Sequence, residues 1–273
     1  MTKTVLLIGI GAGDPDQLTL QAVKAMNRAG IFFLPDKGSE KAGLRAVREA
    51  LCRQVMTHDR YRWVCYDVPQ RDARIAEYRA RVAAWHDALA DRFETMIVEA
   101  LPENGCGAFL VWGDPSLFDS TLRIIETVRR RGVSFAFEVI PGITSVQTLA
   151  ARHKTTLGAI GEKITILPAR LLARGWPDDL GSAIVMLDSG AALERLRTNT
   201  ELTVLWGANL GTGDERVISG RLCEVFASIQ TARRAIKEKR GWVMDVYMLR
   251  RETGPGGETA RDVKDERFPP MTD

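Results

Sequence analysis

The loop Trp112-Gly113-Asp114-Pro115-Ser116 is the feature that most constrains what this chain can fold into. Ala108, Phe109, Leu110 and Val111 run into it without a polar break, as strands covered on both faces do. Beyond it Leu117, Phe118, Leu122, Ile125 and Val128 recur at helical spacing, which predicts a helix directly after the loop. Gly-Asp-Pro therefore falls where a buried strand ends and a helix begins. In open α/β sheets ligands bind there, outside the carboxyl ends of the strands. Glycine admits close backbone approach, proline stiffens the exit, and Asp114 sets a carboxylate at the rim.

The same pattern opens the chain. Val5, Leu6, Leu7 and Ile8 lead into Gly9-Ile10-Gly11-Ala12-Gly13-Asp14-Pro15. A helical stripe at Leu20, Val23 and Met26 is expected to close near Gly30. Strands over 31–34 and 62–66 flank a helix over 42–52. A long amphipathic helix over 77–100 follows, its stripe marked by Val82, Trp85, Leu89, Phe93 and Met96. With a strand over 135–139, the alternation predicts a mostly parallel sheet. Pro141-Gly142 reads as a hinge. After it, strand signals at 164–167, 183–187, 203–205, 216–219 and 242–248 crowd together with shorter helices between, which predicts a mixed sheet. The expectation is an α/β chain of two lobes, 1–140 and 141–265, and a tail, 266–273; the glycine- and charge-rich stretch from Gly254 is expected to fray.

Composition excludes several classes. At 273 residues the chain can bury a core without disulfides or metals. Its 38 basic and 35 acidic residues leave a net charge of +3, no footprint for nucleic acid or a membrane surface. Cys52, Cys65, Cys106 and Cys223 are scattered, and His58, His86 and His153 have no ligand spacing, so no metal is expected and reduced thiols in the cytoplasm are. No apolar stretch is long enough to span a bilayer, and the chain enters a strand straight after Thr2-Lys3, so no signal peptide is expected. His86, beside Trp85, reads as structural. The basic, aromatic stretch 57–63 around His58 suits an anionic planar ligand and equally a surface loop. Arg129-Arg130-Arg131 complements a helix dipole before Gly132.

The early glycines invite a dinucleotide reading, but Asp14 stands where the third fingerprint glycine belongs and would oppose a pyrophosphate. That disfavours a nicotinamide-dependent oxidoreductase. A tight turn without a ligand stays open, as do turn-forming or capping roles for Asp114 and Thr144.

Three segments in register decide further: the 9–15 loop, the Gly-Asp-Pro loop, and Val139-Ile140-Pro141-Gly142-Ile143-Thr144-Ser145. In this order and separation they resemble the tetrapyrrole methylases, the class III S-adenosyl-L-methionine methyltransferases, over nearly the whole chain. The resemblance implies a two-lobed tetrapyrrole methylase fold, S-adenosyl-L-methionine as donor with S-adenosyl-L-homocysteine as product, a small tetrapyrrole substrate, and a homodimer. It assigns cofactor contacts to Ala12, Trp112, Gly113, Asp114, Leu117, Thr144, Ser145, Met186, Leu187 and Gly211. It makes Asp36 the candidate proton-transfer residue, with Lys37 beside it to hold a carboxylate. The strings 33–38, 109–123 and 140–147 resemble the branch that methylates precorrin-5 at C-1 and releases acetate, and the insertion-like 56–76 fits a distinct subgroup. A tetrapyrrole carrier and an RNA methylase remain as alternatives.

Overall fold

The computed structural model describes residues 2–36, 42–177 and 179–251. Strand and helix alternate through the first half: β1 (Thr4–Gly9), α1 (Leu20–Met26), β2 (Ile31–Asp36), α2 (Ala42–Val55), β3 (Arg62–Asp67), α3 (Tyr78–Thr95), β4 (Cys106–Val111), α4 (Thr121–Arg130) and β5 (Ala136–Ile140). The strands lie in the order β3-β2-β4-β1-β5, and every pairing is parallel. Side chains alternate across the pleat. Val5 and Leu7 join Phe93 and Phe109 on one face, while Leu6 and Ile8 join Met26, Phe32 and Leu51 on the other. Both faces are covered, which is why these strands read as unbroken apolar runs.

The neighbouring strands β1 and β4 send the chain in opposite directions. From β1 it passes through α1 to β2; from β4 it passes through α4 back to β5 on the far side of β1. A crevice opens between such neighbours at their carboxyl ends, and the two glycine loops stand there.

The second half is a mixed sheet, as expected. It contains α5 (Ser145–Arg152), β6 (Ile166–Pro168), β7 (Ser182–Met186), α6 (Ala191–Leu196), β8 (Leu202–Ala208), β9 (Arg216–Arg221), α7 (Leu222–Arg240) and β10 (Asp245–Arg251). Strand order is β6-β7-β10-β8-β9, with only β6 and β7 paired in parallel. Pro141-Gly142 follows β5 directly and carries the chain into α5.

Three local expectations are corrected and a fourth is extended. The helix after Gly-Asp-Pro begins at Thr121, and its buried face is Ile124, Ile125 and Val128. Leu117 and Phe118 precede it in a turn where Phe118 has φ +52°. The first helix closes at Asn27, whose side-chain amide bonds the carbonyls of Val23 and Val55, so Gly30 is not its cap. The second lobe is not confined to short helices: α7 runs 19 residues, and buried Arg233 interrupts the apolar stripe of Leu222, Ile229 and Ile236 that would have announced it. The basic triplet does more than face a dipole, since Arg131 bonds Asp91 of α3 at 2.7 Å. The stretch from Gly254 lies outside the described residues. Among the described residues no helix is long and apolar enough to cross a membrane.

Candidate active site

The three sequence motifs form one packing unit. Gly11 and Gly113 exchange backbone hydrogen bonds, Gly113 N–H to Gly11 O at 2.8 Å and Gly11 N–H to Gly113 O at 3.2 Å. A Cβ on Gly142 would stand 2.2 Å from Gly113 O, and one on Gly9 would stand 2.6 Å from Gly142 N. Backbone meets backbone here, so neither position admits a side chain. Asp114 locks the arrangement: Oδ1 accepts the Ser116 N–H and Oδ2 the Gly142 N–H, each at 2.8 Å. Burial raises its pKa, but the Ser116 and Gly142 bonds outweigh that and hold the carboxyl below its ordinary value.

Below these loops a trough with two arms separates the lobes. The first arm, about 300 Å³, lies against the second lobe; the other, about 310 Å³, runs under the first. Trp112, Phe118, Asp119 and Met244 line both, so the arms join there.

Of the ten expected cofactor contacts, Ala12, Trp112, Leu117, Ser145, Met186 and Leu187 line the first arm. Gly113, Asp114, Thr144 and Gly211 are not brought to its wall. Thr144 is the N-cap of α5: its Oγ1 accepts the Val146 N–H at 3.1 Å, and its N–H donates to Gln147 Oε1 at 3.0 Å. Gly211 packs on the 12–14 stretch and donates its N–H to Glu215 Oε2 at 2.7 Å. Asp36 is exposed at the carboxyl end of β2 and lines neither arm, although Pro35 lines the second. Lys37 lies outside the described residues. The 57–63 stretch sits at the opposite, amino edge of the sheet, where His58 Nε2 is 3.0 Å from the Asn27 carbonyl and Tyr61 and Trp63 pack on Phe32.

Several wall residues escaped the sequence reading. Asn209 has φ +47°, its Oδ1 accepts the Met244 N–H at 2.9 Å, and its Nδ2 is buried without a partner. Leu187, expected from sequence as a contact, lies just past β7 with φ +60° and is 65% exposed, an apolar side chain turned out of the core. Behind it Asp188 accepts the Gly190 N–H at 2.9 Å and the Tyr247 hydroxyl at 2.8 Å. Asp245 accepts the Trp206 indole N–H at 2.9 Å and pairs with buried Arg233. Burial pushes the Asp245 pKa up in spite of that arginine. Among the described residues, the charged side chains on the first arm are all acidic: Asp119, Asp188 and Asp245. The second arm shares Asp119 and adds two cations, Arg48 and Arg71. No group of three or more metal-ligating side chains is present among the described residues.

Fold and site together define a two-lobed α/β protein with a small-molecule trough at a topological switch point. The family model of the tetrapyrrole (corrin/porphyrin) methylases matches residues 4–225, and the chain belongs to that family. It is 44% identical over 250 residues to a precorrin-6A synthase [deacetylating] of a Sinorhizobium species, covering 91% of this chain and 95% of that one. A solved structure from Corynebacterium diphtheriae, described as related to cobalamin synthesis (CobF), superposes with a TM-score of 0.77 at 35% identity, covering 92% of this chain and 99% of the other. The uroporphyrin-III C-methyl transferase of Thermus thermophilus, solved with S-adenyl homocysteine, shares the fold at a TM-score of 0.52 and 21% identity, covering 90% and 96% of the two chains. The chain is thus a tetrapyrrole methyltransferase, of a family that uses S-adenosyl-L-methionine.

Proposed function

We propose that this enzyme methylates precorrin-5 at C-1 and releases acetate to give precorrin-6A, a step of cobalamin biosynthesis, with S-adenosyl-L-methionine in the first arm. The observation that carries the cofactor placement is the chemistry of that wall. It is apolar at Met186, Leu187, Leu210 and Val246, acidic where charged, and holds one orphaned buried donor, Asn209 Nδ2. A phosphate-free, cationic nucleoside fits such a wall; a dinucleotide pyrophosphate, which needs cations or free amides, does not. When bound, the cofactor supplies a methyl group on a sulfonium with a good leaving group.

The protein's task is then alignment of donor and carbon nucleophile. Ala12, Trp112, Leu117, Ser145, Met186 and Leu187 form the walls that orient the donor. Gly113, Asp114, Thr144 and Gly211 serve from behind by fixing the loops that carry those walls. Asp36, at the end of β2 beside Pro35, is the candidate for proton transfer during methylation. The same reading places the enzyme in the cytoplasm as a homodimer; four free cysteines support a reducing compartment, and light scattering measures the assembly. Purified enzyme given precorrin-5 and methyl-labelled cofactor is expected to label C-1 and release acetate. Cofactor binding without label transfer would send the assignment to another precorrin, and retention of full activity by Asp36→Ala would remove that residue.

A further inference from the structure

The second arm carries polar side chains to which the methyl-transfer reading gives no role. Ser120, at the head of α4, stands on its wall, and His86 of α3 backs it from outside the cavity, with 2.9 Å between His86 Nε2 and Ser120 Oγ. With the imidazole proton on Nδ1, the serine hydroxyl donates to Nε2. Ser120 lines the arm, and so does Trp85, whose ring lies beside that of His86. By sequence alone His86 reads as structural.

Three further groups face the same space. Arg48 donates from Nε to the Leu110 carbonyl at 3.1 Å and from Nη1 to the Leu44 carbonyl at 3.0 Å. Asp119 is the carboxylate that acts on it electrostatically, and its guanidinium stands 5.7 Å over the Trp112 ring. Asp119, on the same wall, directs Oδ1 to the Thr121 N–H at 2.7 Å. An arginine set this deep stays a cation and calls for an anionic partner. Tyr66 also lines the arm, and burial raises its pKa, so the phenol keeps its proton and can donate.

We propose that the second arm is the deacylation site, where His86, through Ser120, takes a proton from water and Arg48 with Tyr66 receives the oxygens of the departing two-carbon acid. This rests on the precorrin-5 reading above. Water oxygen bonds to the acyl carbonyl carbon as one of its protons passes by way of Ser120 Oγ to His86 Nε2. The bond between acyl carbon and macrocycle then breaks, and its electron pair stays with the conjugated macrocycle. Acetate leaves with one oxygen from the carbonyl and one from water, and the second proton passes to solvent. The site suits this step in three ways. Its volume of about 310 Å³ has room for a short acyl arm. Desolvation, then Arg123 and Arg71, lower the His86 pKa against the opposing Asp87, so the imidazole is neutral and able to accept. The arm opens onto the first at Trp112, Phe118, Asp119 and Met244, so one substrate reaches both.

The test is a single turnover of the full chain with precorrin-5 and methyl-labelled cofactor, following acetate and methyl transfer separately in the parent, His86→Gln and Ser120→Ala. Both variants are expected to bind S-adenosyl-L-homocysteine as the parent does and to release acetate about 100-fold more slowly or worse. Acetate release at the parental rate in both, or loss of cofactor affinity alongside it, overturns the proposal. A parent that labels no precorrin-5 overturns the underlying reading instead. Free acetate probes the anion subsite without turnover. By saturation-transfer NMR it is expected to bind the parent and not Arg48→Gln, with partial binding by Arg48→Lys. If Arg48→Gln raises only the KM for precorrin-5 while acetate neither binds nor inhibits the parent, the arm holds a peripheral substrate carboxylate and the deacylation role falls.

Discussion

Replacing Gly142 with alanine tests whether the three glycine loops act as one unit. The new methyl would stand 2.2 Å from Gly113 O and 2.8 Å from the carbonyl carbon of Gly9, all backbone atoms. An ordinary approach is about 3.5 Å, so the loops must part by roughly 1 Å. That movement takes the 2.8 Å Gly142 N–H bond to Asp114 Oδ2 and the 3.2 Å Gly11–Gly113 bond beyond useful range. Overpacking costs about 1–3 kcal/mol. The carboxylate bond adds about 1.5–3 kcal/mol and the neutral bond about 1 kcal/mol. After partial relaxation a loss of about 3–5 kcal/mol is expected, which lowers Tm by about 10 °C in a chain of this size. Because the displaced loops carry Ala12, Trp112 and Leu117, affinity for S-adenosyl-L-homocysteine falls by about tenfold or more, the equivalent of ~1.4 kcal/mol. Thermal unfolding followed by circular dichroism, with calorimetric titration of the nucleoside, measures both. Gly213→Ala is the control, since a Cβ there meets nothing within 4 Å. A Gly142→Ala protein that melts within about 2 °C of the parent and binds the nucleoside equally well refutes the reasoning.

Other consequences follow from single residues. Arg233→Met strands the buried carboxylate of Asp245 and is expected to cost about 3–5 kcal/mol in urea unfolding, part of which Arg233→Met with Asp245→Leu restores. Leu187→Gly separates stability from binding: it relieves a left-handed leucine, leaving stability equal or about 1 kcal/mol higher, yet removes an apolar wall and weakens nucleoside binding. If stability falls with affinity, Leu187 is holding the core instead. For acetate release, His86 must be neutral, so activity falls as pH drops through its pKa. That pKa lies below the ordinary 6.5 because of desolvation and the cations Arg123 and Arg71, opposed by Asp87. The acid limb is therefore expected below pH ~6.5, and Arg123→Ala moves it upward; a limb that stays put contradicts the electrostatic account.

The strands, the parallel-then-mixed division and the position of the trough were legible because each rests on local pattern. Unbroken apolar runs at 5–8 and 108–111 announce doubly covered strands, and glycine at the ends of β1 and β4 announces backbone contact. What sequence could not show is direction. Asp114 and Thr144 match family positions for cofactor contacts, and in the fold both accept backbone N–H groups, as turn-forming and capping residues do. Helix α7 was hidden because a buried arginine replaces one apolar residue of its stripe. Asn209 carried one faint sign, an amide tolerant of positive φ before Leu210-Gly211. Arg48 carried none, since its α2 neighbours Arg45 and Arg53 look alike in sequence and only packing sets one of them over Trp112. His86 and Ser120 are 34 residues apart and meet only because α3 and α4 pack side by side.

The division of charge between the two arms fits a reaction with two separate demands. Acids and apolar walls in the first arm suit a donor that carries positive charge and discharges it on reaction, whereas a cation there would oppose the sulfonium. The second arm must do the reverse and stabilise an anion as it forms, which Arg48 and a protonated Tyr66 can do under a low dielectric. Placing both sets in one cavity would cancel each against the other. The partition between them is made by the residues that follow β4: Trp112, then Phe118 and Asp119, with Met244 closing from the second lobe. Phe118 holds this position at φ +52° and 42% exposure, a conformation that costs a bulky residue about 1–3 kcal/mol. Its neighbours secure it, through the Leu117 N–H to Asp114 O bond at 3.2 Å and the Asp119 bond to Thr121. Strain held by flanking bonds at the junction of an acidic arm and one that adds Arg48 and Arg71 is explained if the junction must be narrow. There the macrocycle carbon sheds its acyl group toward one arm and faces the methyl donor in the other.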